Sequence, residues 1–254
     1  MRQKRIFGIL TAAAVAAGLW GCKEPRSPGV RLNQAAKYLS AGKYAEALSE
    51  ADSAVQNAPG RFDAFLLRAI AQERTGRSDL ALASAMAAEK LAPGSFAVQY
   101  MLGRLYMADR KNPDAVMALN KALALRPGDR NTLILLVNLY MGLRPAEALK
   151  LMTHLERDSS LVSSAAYRNE LGVAQILCGN AVSGGNNLSL AVSNAPKNAV
   201  FRLNYARYLD YYANQPMSAV TQYRTYLELA GHLPGHENYR KQVTARCNEL
   251  KRRR

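Results

Sequence analysis

Pro59, Pro93 and Pro127 stand 34 residues apart, each closing an alanine-rich stretch; Pro196 resumes the series after one slip, and Gly231 ends it. A fixed period in this range marks one supersecondary unit repeated, each unit unable to bury its apolar face until it stacks on a neighbour. That constrains the chain to an array whose core is a strip between units. It also directs attention to extended surfaces, because stacked repeats present surfaces and rarely carry chemistry.

Counting each unit so that its closing Pro is position 32 brings the same residue types into register. Residues 62–95 give Phe65, Ala69, Gly76, Ala81, Ala85, Ala88 and Pro93; residues 96–129 give Leu102, Gly103, Tyr106, Ala115, Leu119, Ala122 and Pro127. Residues 28–61 give Ala35, Tyr38, Gly42, Ala47, Ala51, Ala54 and Pro59. Positions 4, 7, 8 and 11 share one face at helical spacing, as do positions 20, 24 and 27. Small residues at 8 and 20 let two helices approach closely, and larger ones fill the gaps. Gly42, Gly76 and Gly179 fall where a left-handed residue commonly ends a helix. Asn112-Pro113 fits an N-cap followed by Pro at the first helical position.

This register closely resembles the tetratricopeptide repeat family, whose hallmarks are the small residue at 8, the aromatic at 11, alanines at 20 and 27, and Pro at 32. The resemblance implies an all-α, right-handed solenoid of about six helix–turn–helix repeats over residues 31–231. Three later units are degenerate. In residues 130–162 the turn Met141–Pro145 is one residue short and the closing Pro is missing. Residues 165–198 carry Gly184 in place of the usual alanine, and residues 199–231 have a turn at Gln215-Pro216 one residue longer. Residues 232–254 read as a basic capping helix over the last apolar face.

At the N-terminus, Arg2, Lys4 and Arg5 precede an uncharged, largely apolar stretch from Ile6 to Trp20. That stretch is short for a membrane span and fits a secretion signal over residues 1–21. Leu19-Trp20-Gly21-Cys22 resembles the bacterial lipobox, with Trp20 in place of the usual small residue. The resemblance implies that Cys22 is acylated and anchors the protein firmly. The competing reading is an ordinary signal peptide, or an uncleaved anchor, with an incidental cysteine. In similar lipoproteins a residue other than Asp after the cysteine, here Lys23, allows transfer to the outer membrane of a diderm bacterium. Residues 22–30, with Pro25 and Pro28, read as the lipidated cysteine and a short stiff tether.

The formal charge is +15. Arg2, Lys4 and Arg5 supply three of it; from Tyr239 onward seven bases stand against Glu249, a net +6. Lys251–Arg254 has the composition of a nucleic-acid patch, but a secretion signal argues against that partner. Contact with anionic phospholipid and a plain solvated helix both remain open. With Cys22 acylated, Cys178 and Cys247 are a full repeat apart, which favours two buried thiols over a disulfide.

Nothing in the chain reads as chemistry. The three histidines are His154, His232 and His236, and Pro234-Gly235 prevents the last two from sharing a helix face. That excludes a metal site on ligand number. No G-x-S-x-G, Walker-type loop or H-E-x-x-H occurs, so no catalytic residue, metal or cofactor is expected.

In the tetratricopeptide repeat family the concave groove is lined by positions 2, 5, 9 and 12 of each first helix. Carried over, these are Leu32, Ala36 and Leu39; Leu66, Ile70 and Glu73; Tyr100, Arg104 and Met107; Asn131, Ile134, Asn138 and Met141; Asn169, Val173 and Ile176; Leu203, Arg207 and Asp210. Members that grip a C-terminal carboxylate use Lys and Asn at positions 5 and 9; here position 5 is Leu32, Leu66, Tyr100 and Ile134, so that clamp is absent. The expected groove is apolar, with Arg104 and Asn138 as isolated polar groups, and suits an amphipathic helix or extended segment of another protein. The alternative is that these Leu, Ile and Met side chains face the core.

In length, repeat number and anchor the chain resembles the pilotin lipoproteins that guide secretin assembly for type IV pili. The expected role is a non-enzymatic, membrane-anchored scaffold on the periplasmic face of the outer membrane. An adaptor that docks a periplasmic hydrolase, or a structural dimerising protein, are the alternatives.

Overall fold

The structure, a computed structural model, describes residues 27–156, 159–231 and 233–252. The described chain is six helix pairs, a single-turn helix after the fourth pair, and a final helix. The pairs are α1 (Pro28–Ser40) with α2 (Tyr44–Asn57), α3 (Phe62–Arg74) with α4 (Ser78–Leu91), and α5 (Phe96–Ala108) with α6 (Asn112–Leu125). Then come α7 (Arg130–Met141) with α8 (Pro145–Leu155), the single turn α9 (Ser159–Val162), α10 (Ala165–Leu177) with α11 (Ala181–Asn194), and α12 (Ala199–Tyr211) with α13 (Pro216–Leu229). Helix α14 (Glu237–Arg252) closes the described chain. Each helix packs on its predecessor, apart from the step across α9, where α10 packs on α8. The result is an all-α solenoid.

The irregularity in the period sits in the fourth pair, in a different place from that expected. Helix α7 has 12 residues where the other first helices have 13, while its turn keeps three residues, 142–144. The missing residue therefore comes from the helix. Helix α8 is also short, at 11 residues against 14 in the other second helices. The turn of the sixth pair, 212–215, does carry the extra residue.

Gly42, Gly76 and Gly179 have φ of 72°, 77° and 87°. The same place in the third pair is Arg110 at φ 58°, a left-handed conformation costing an ordinary L-residue about 1–2 kcal/mol. Asn112 is already the first residue of α6, and Lys111 occupies the cap position without a side-chain bond. The N-cap reading of Asn112 is thus one residue late, because the turn completes its reversal at Lys111. At the other end, Ser27 accepts from Val30 N and Pro28 starts α1, so residues 28–30 are helical and not tether.

The small residues do what their spacing implies. Ala47, Ala81, Ala115 and Ala148 on the second helices are fully buried, as are Ala54, Ala88, Ala122 and Ala191. The closest approach is between α10 and α11. A Cβ on Gly172 would lie 2.8 Å from the Gly184 carbonyl oxygen, and one on Gly184 2.6 Å from that of Gly172. Gly184 therefore replaces alanine because two backbones touch there. The next residue, Gly185, lies under the Tyr208 ring of α12, so one glycine pair serves two interfaces.

In the second and fifth repeats, where Gln72 and Gln175 replace the aromatic at position 11, a polar pair stands in. Gln72 Oε1 accepts from Ser84 Oγ at 2.7 Å, and Gln175 Oε1 accepts from Asn187 Nδ2 at 2.9 Å. Each polar partner is held in turn by an arginine, Arg68 on Ser84 and Arg168 on Asn187. Buried Gln72 and half-buried Gln175 keep their bonds this way, which is the condition for a polar group to be tolerated between helices.

Helix α14 packs Val243, Cys247 and Leu250 against Tyr226, Leu209 and their neighbours. Its orientation comes from Arg246, whose guanidinium donates to both Asp210 oxygens at 2.8 and 2.9 Å and to Glu249 at 2.7 Å. The Asp210 side chain is 1% exposed. Both cysteines are free. Cys247 is buried, and burial pushes its thiol pKa up. Cys178 is exposed, against the expectation of a buried thiol, because it caps α10 at the turn, where the side chain leaves the helix pair.

Two substitutions probe these contacts. Gly184→Ala, although alanine is the better helix former by about 1 kcal/mol, should lower stability by a net 1–3 kcal/mol or so through overpacking, read from the urea midpoint; an unchanged midpoint would show that the helices can part freely. Arg246→Met leaves the buried Asp210 carboxylate without its counter-charge, with only the Tyr223 hydroxyl still donating to it, and should cost about 3 kcal/mol. Limited proteolysis should then cut within α14 first, and equal protection in the variant would deny the pair its docking role.

Candidate interaction surface

Successive first helices touch one another, α1 with α3, α3 with α5 and α10 with α12. No two successive second helices do so to the same extent among the described residues. The first helices therefore line the shorter, inner arc, and the groove is theirs.

Of the groove residues taken from the repeat register, Leu66, Ile70, Tyr100, Met107, Ile134 and Met141 are partly exposed and partly packed on the core clusters beneath. Asn131 and Asn138 are exposed. Others turn inward. Leu32 and Leu203 are 5% exposed and belong to core clusters. Asn169 is 7% exposed, its Oδ1 accepting from Asn204 Nδ2 at 2.9 Å. Asp210 is taken up by Arg246. Asn169 is thus a buried bridge between α10 and α12 and no contact surface. Position 5 is the deepest of the groove positions, so a short side chain there stays below the rim.

Arg104 is not isolated. Its guanidinium donates to Glu73 Oε1 at 2.8 Å and lies 6.0 Å from the centre of the Tyr100 ring. Tyr100 in turn stacks on Phe96, with ring centres 5.8 Å apart. The pair joins position 12 of the second repeat to position 9 of the third. Arg207, at position 9 of the sixth repeat, makes no ion pair or hydrogen bond among the described residues; its guanidinium lies 5.6 Å from the Tyr239 ring of α14.

Arg207 borders the feature that sequence reasoning missed. A cavity of about 160 Å³ opens between α10 and α12, over α11, lined by Val173, Ile176, Leu188, Asn204, Arg207 and Tyr212. Val173, Ile176 and Arg207 were in the register list. Asn204 lies outside positions 2, 5, 9 and 12, and Tyr212 sits in the lengthened turn, where the repeat numbering no longer applies. Exposed Tyr211 is the last residue of α12, with the Arg246 guanidinium 5.3 Å from its ring centre.

Glu170, next to Asn169, is the awkward acid of this region. Burial holds its pKa above the ordinary 4.5, and no bonding partner offsets it among the described residues. The basic residues of α14 are partly occupied: Arg240 donates to the Ala230 and Leu233 carbonyls, while Lys241, Lys251 and Arg252 are exposed. His236 Nδ1 lies 3.1 Å from the Tyr226 hydroxyl. The described residues bring no three His, Cys, Asp or Glu side chains together, and no described helix is long and apolar enough to cross a membrane. Cys22 and the segment 1–26 lie outside the described residues.

This arrangement, paired antiparallel helices stacked at a 34-residue period with the first helices inward, is the tetratricopeptide repeat fold. The structure characterised as pilF of Pseudomonas aeruginosa is similar at a TM-score of 0.65 and 17% identity, covering 86% of this chain and 96% of that one. YrrB, described as a TPR protein with an unusual peptide-binding site, is similar at 0.63 and 15%, covering 80% and 97%. A chain of the APC/C hetero-tetramer Cut9–Hcn1 is similar at 0.62 and 18%, but this protein spans only 43% of it. No protein-family model matches the sequence, and no curated protein matches it.

Because the protonated form of Glu170 is favoured in the folded state, its contribution is full below about pH 4.5 and is lost as pH rises through the higher folded value. Glu170→Gln should therefore raise the melting temperature at pH 7, with the gain shrinking as pH falls through the raised value toward 4.5. A variant no more stable than the parent at pH 7 would show that solvent reaches the carboxylate.

Proposed function

We propose that this protein is a non-enzymatic, lipid-anchored interaction scaffold of a bacterial envelope, binding a segment of another protein along the inner face of its solenoid. The observation that carries the reading is the strip of partly exposed apolar side chains on successive first helices: Leu66, Ile70, Tyr100, Met107, Ile134 and Met141. Such a row offers anchor sites to an extended or helical segment, as grooves of this kind do. Likeness over 80% of this chain to YrrB, a TPR protein with an unusual peptide-binding site, supports the same use of the fold. The apolar segment ending at Cys22 supports the anchor, and the layout supports a place in secretin or pilus assembly on the periplasmic face of the outer membrane. The exposed bases of α14 would then lie against anionic lipid, each contributing about 1 kcal/mol near the surface.

A photocrosslinking residue at Asn138, on the inner face, is compared in cells with one at Met117, which is 56% exposed on α6. One dominant product from Asn138 and none from Met117 is expected, its mass and sequence distinguishing a secretin subunit from a hydrolase or a second copy of this chain. Equal products from both faces would sink the groove reading. Cys22→Ser should move the protein from the membrane to the soluble fraction; retention in the membrane would remove the lipid anchor.

A further inference from the structure

Position 12 of one layer and a basic group of the next are coupled twice in this solenoid. Glu73, at position 12 of the second repeat, takes Arg104, at position 9 of the third, at 2.8 Å. Asp210, at position 12 of the sixth, takes Arg246 of α14, also at 2.8 Å. Between the fifth and sixth repeats the acid is missing. Position 12 there is Ile176, while position 9 of the sixth repeat is still an arginine, Arg207, and both side chains line the same cavity. The floor differs too: Met101, buried at position 6 of the third repeat, is replaced by the shorter, polar Asn204 in the sixth. The interface between the second and third repeats is closed by an internal carboxylate and a long apolar chain; its counterpart here is left open, with Val173, Ile176 and Leu188 as apolar walls and a guanidinium at the rim.

Resting on the groove reading above, we propose that this cavity between α10 and α12 is the anchor site of the groove, and that its occupant is an acidic segment of a partner protein. The segment inserts one apolar side chain between Val173, Ile176 and Leu188 and sets an adjacent Asp or Glu on Arg207, replacing the carboxylate that Glu73 supplies to Arg104. Charge complementarity identifies the occupant: residues 165–252 carry ten Lys or Arg against five Asp or Glu, and Arg207 itself has no carboxylate among the described residues. Tyr212 at the rim, 53% exposed, adds the aromatic contact that interface centres favour. A basic or purely apolar segment would leave Arg207 desolvated and unpaired, which is unfavourable.

A phage library of random twelve-residue peptides, panned on the detergent-solubilised full-length chain, tests this directly. The parent should enrich peptides with an Asp or Glu beside a Leu, Ile or Phe. Ile176→Glu, which supplies the missing acid internally, and Arg207→Glu should each weaken the selected peptides by about tenfold or more, the loss of a central contact of ~1.4 kcal/mol. Panning on Arg207→Glu should turn the enrichment toward Lys and Arg. Tyr212→Ala, at an exposed rim, gives a milder loss without disturbing the fold, and circular dichroism checks that each variant stays helical. Acidic enrichment that survives Arg207→Glu, or an empty selection, overturns the proposal. Peptides lost with Ile134→Asp but not with Ile176→Glu or Arg207→Glu would overturn this site and leave the groove reading standing. Peptides indifferent to every inner-face change would end both.

Discussion

Close approach of helices at small residues is the contact on which the rest of this molecule depends. An alanine or glycine at position 8 facing another at position 20 lets the two helices of a repeat come together, and the stack is then filled by residues such as Leu102, Leu119 and Leu136, each almost wholly buried. The fifth repeat carries this furthest. With Gly172 against Gly184 the backbones themselves are in contact, and Gly185 makes room for Tyr208 from the next layer. Packing of this kind has no slack, so a single methyl group is felt across two interfaces.

Polar groups follow the same layered logic. The amides at position 11, buried Gln72 and half-buried Gln175, are bonded within their own repeat by Ser84 and Asn187, whereas Arg104 on the inner face is bonded to Glu73 of the preceding repeat. The carboxylate at position 12 links one layer to the next, and Asp210 uses that link to seat α14 over the final apolar face. The same device thus organises the groove and ends the solenoid. Of the two arginines at position 9, Arg104 meets that acid, whereas Arg207, with Ile176 at the preceding position 12, meets the edge of a cavity instead.

Much of the architecture was legible because it rests on local periodicity. The closing prolines, the left-handed glycines and the alanines at 20 and 27 each act within one helix pair, and the positions expected for them hold in the structure. Errors arose where a residue in one repeat answers to another. Asn138 stays exposed as its register implies, but Arg104 proved paired because Glu73 lies 31 residues earlier, and Asn169 proved buried because Asn204 reaches it from the next layer. The fourth repeat misled for a different reason: a one-residue deficit can be absorbed by a helix or by a turn, and only packing selects between them.

By itself the sequence determined the class of fold, the number of repeats and the face of each helix that turns inward, since all three follow from a 34-residue period and helical spacing. The positive and apolar N-terminal segment with Cys22 likewise belongs to the sequence alone. Tertiary structure decided which inward residues are surface and which are core, because that depends on the depth of position 5 and on partners a full repeat away. It also decided where the groove opens, between Ile176 and Arg207, since a cavity is the absence of a neighbour and no local pattern encodes it.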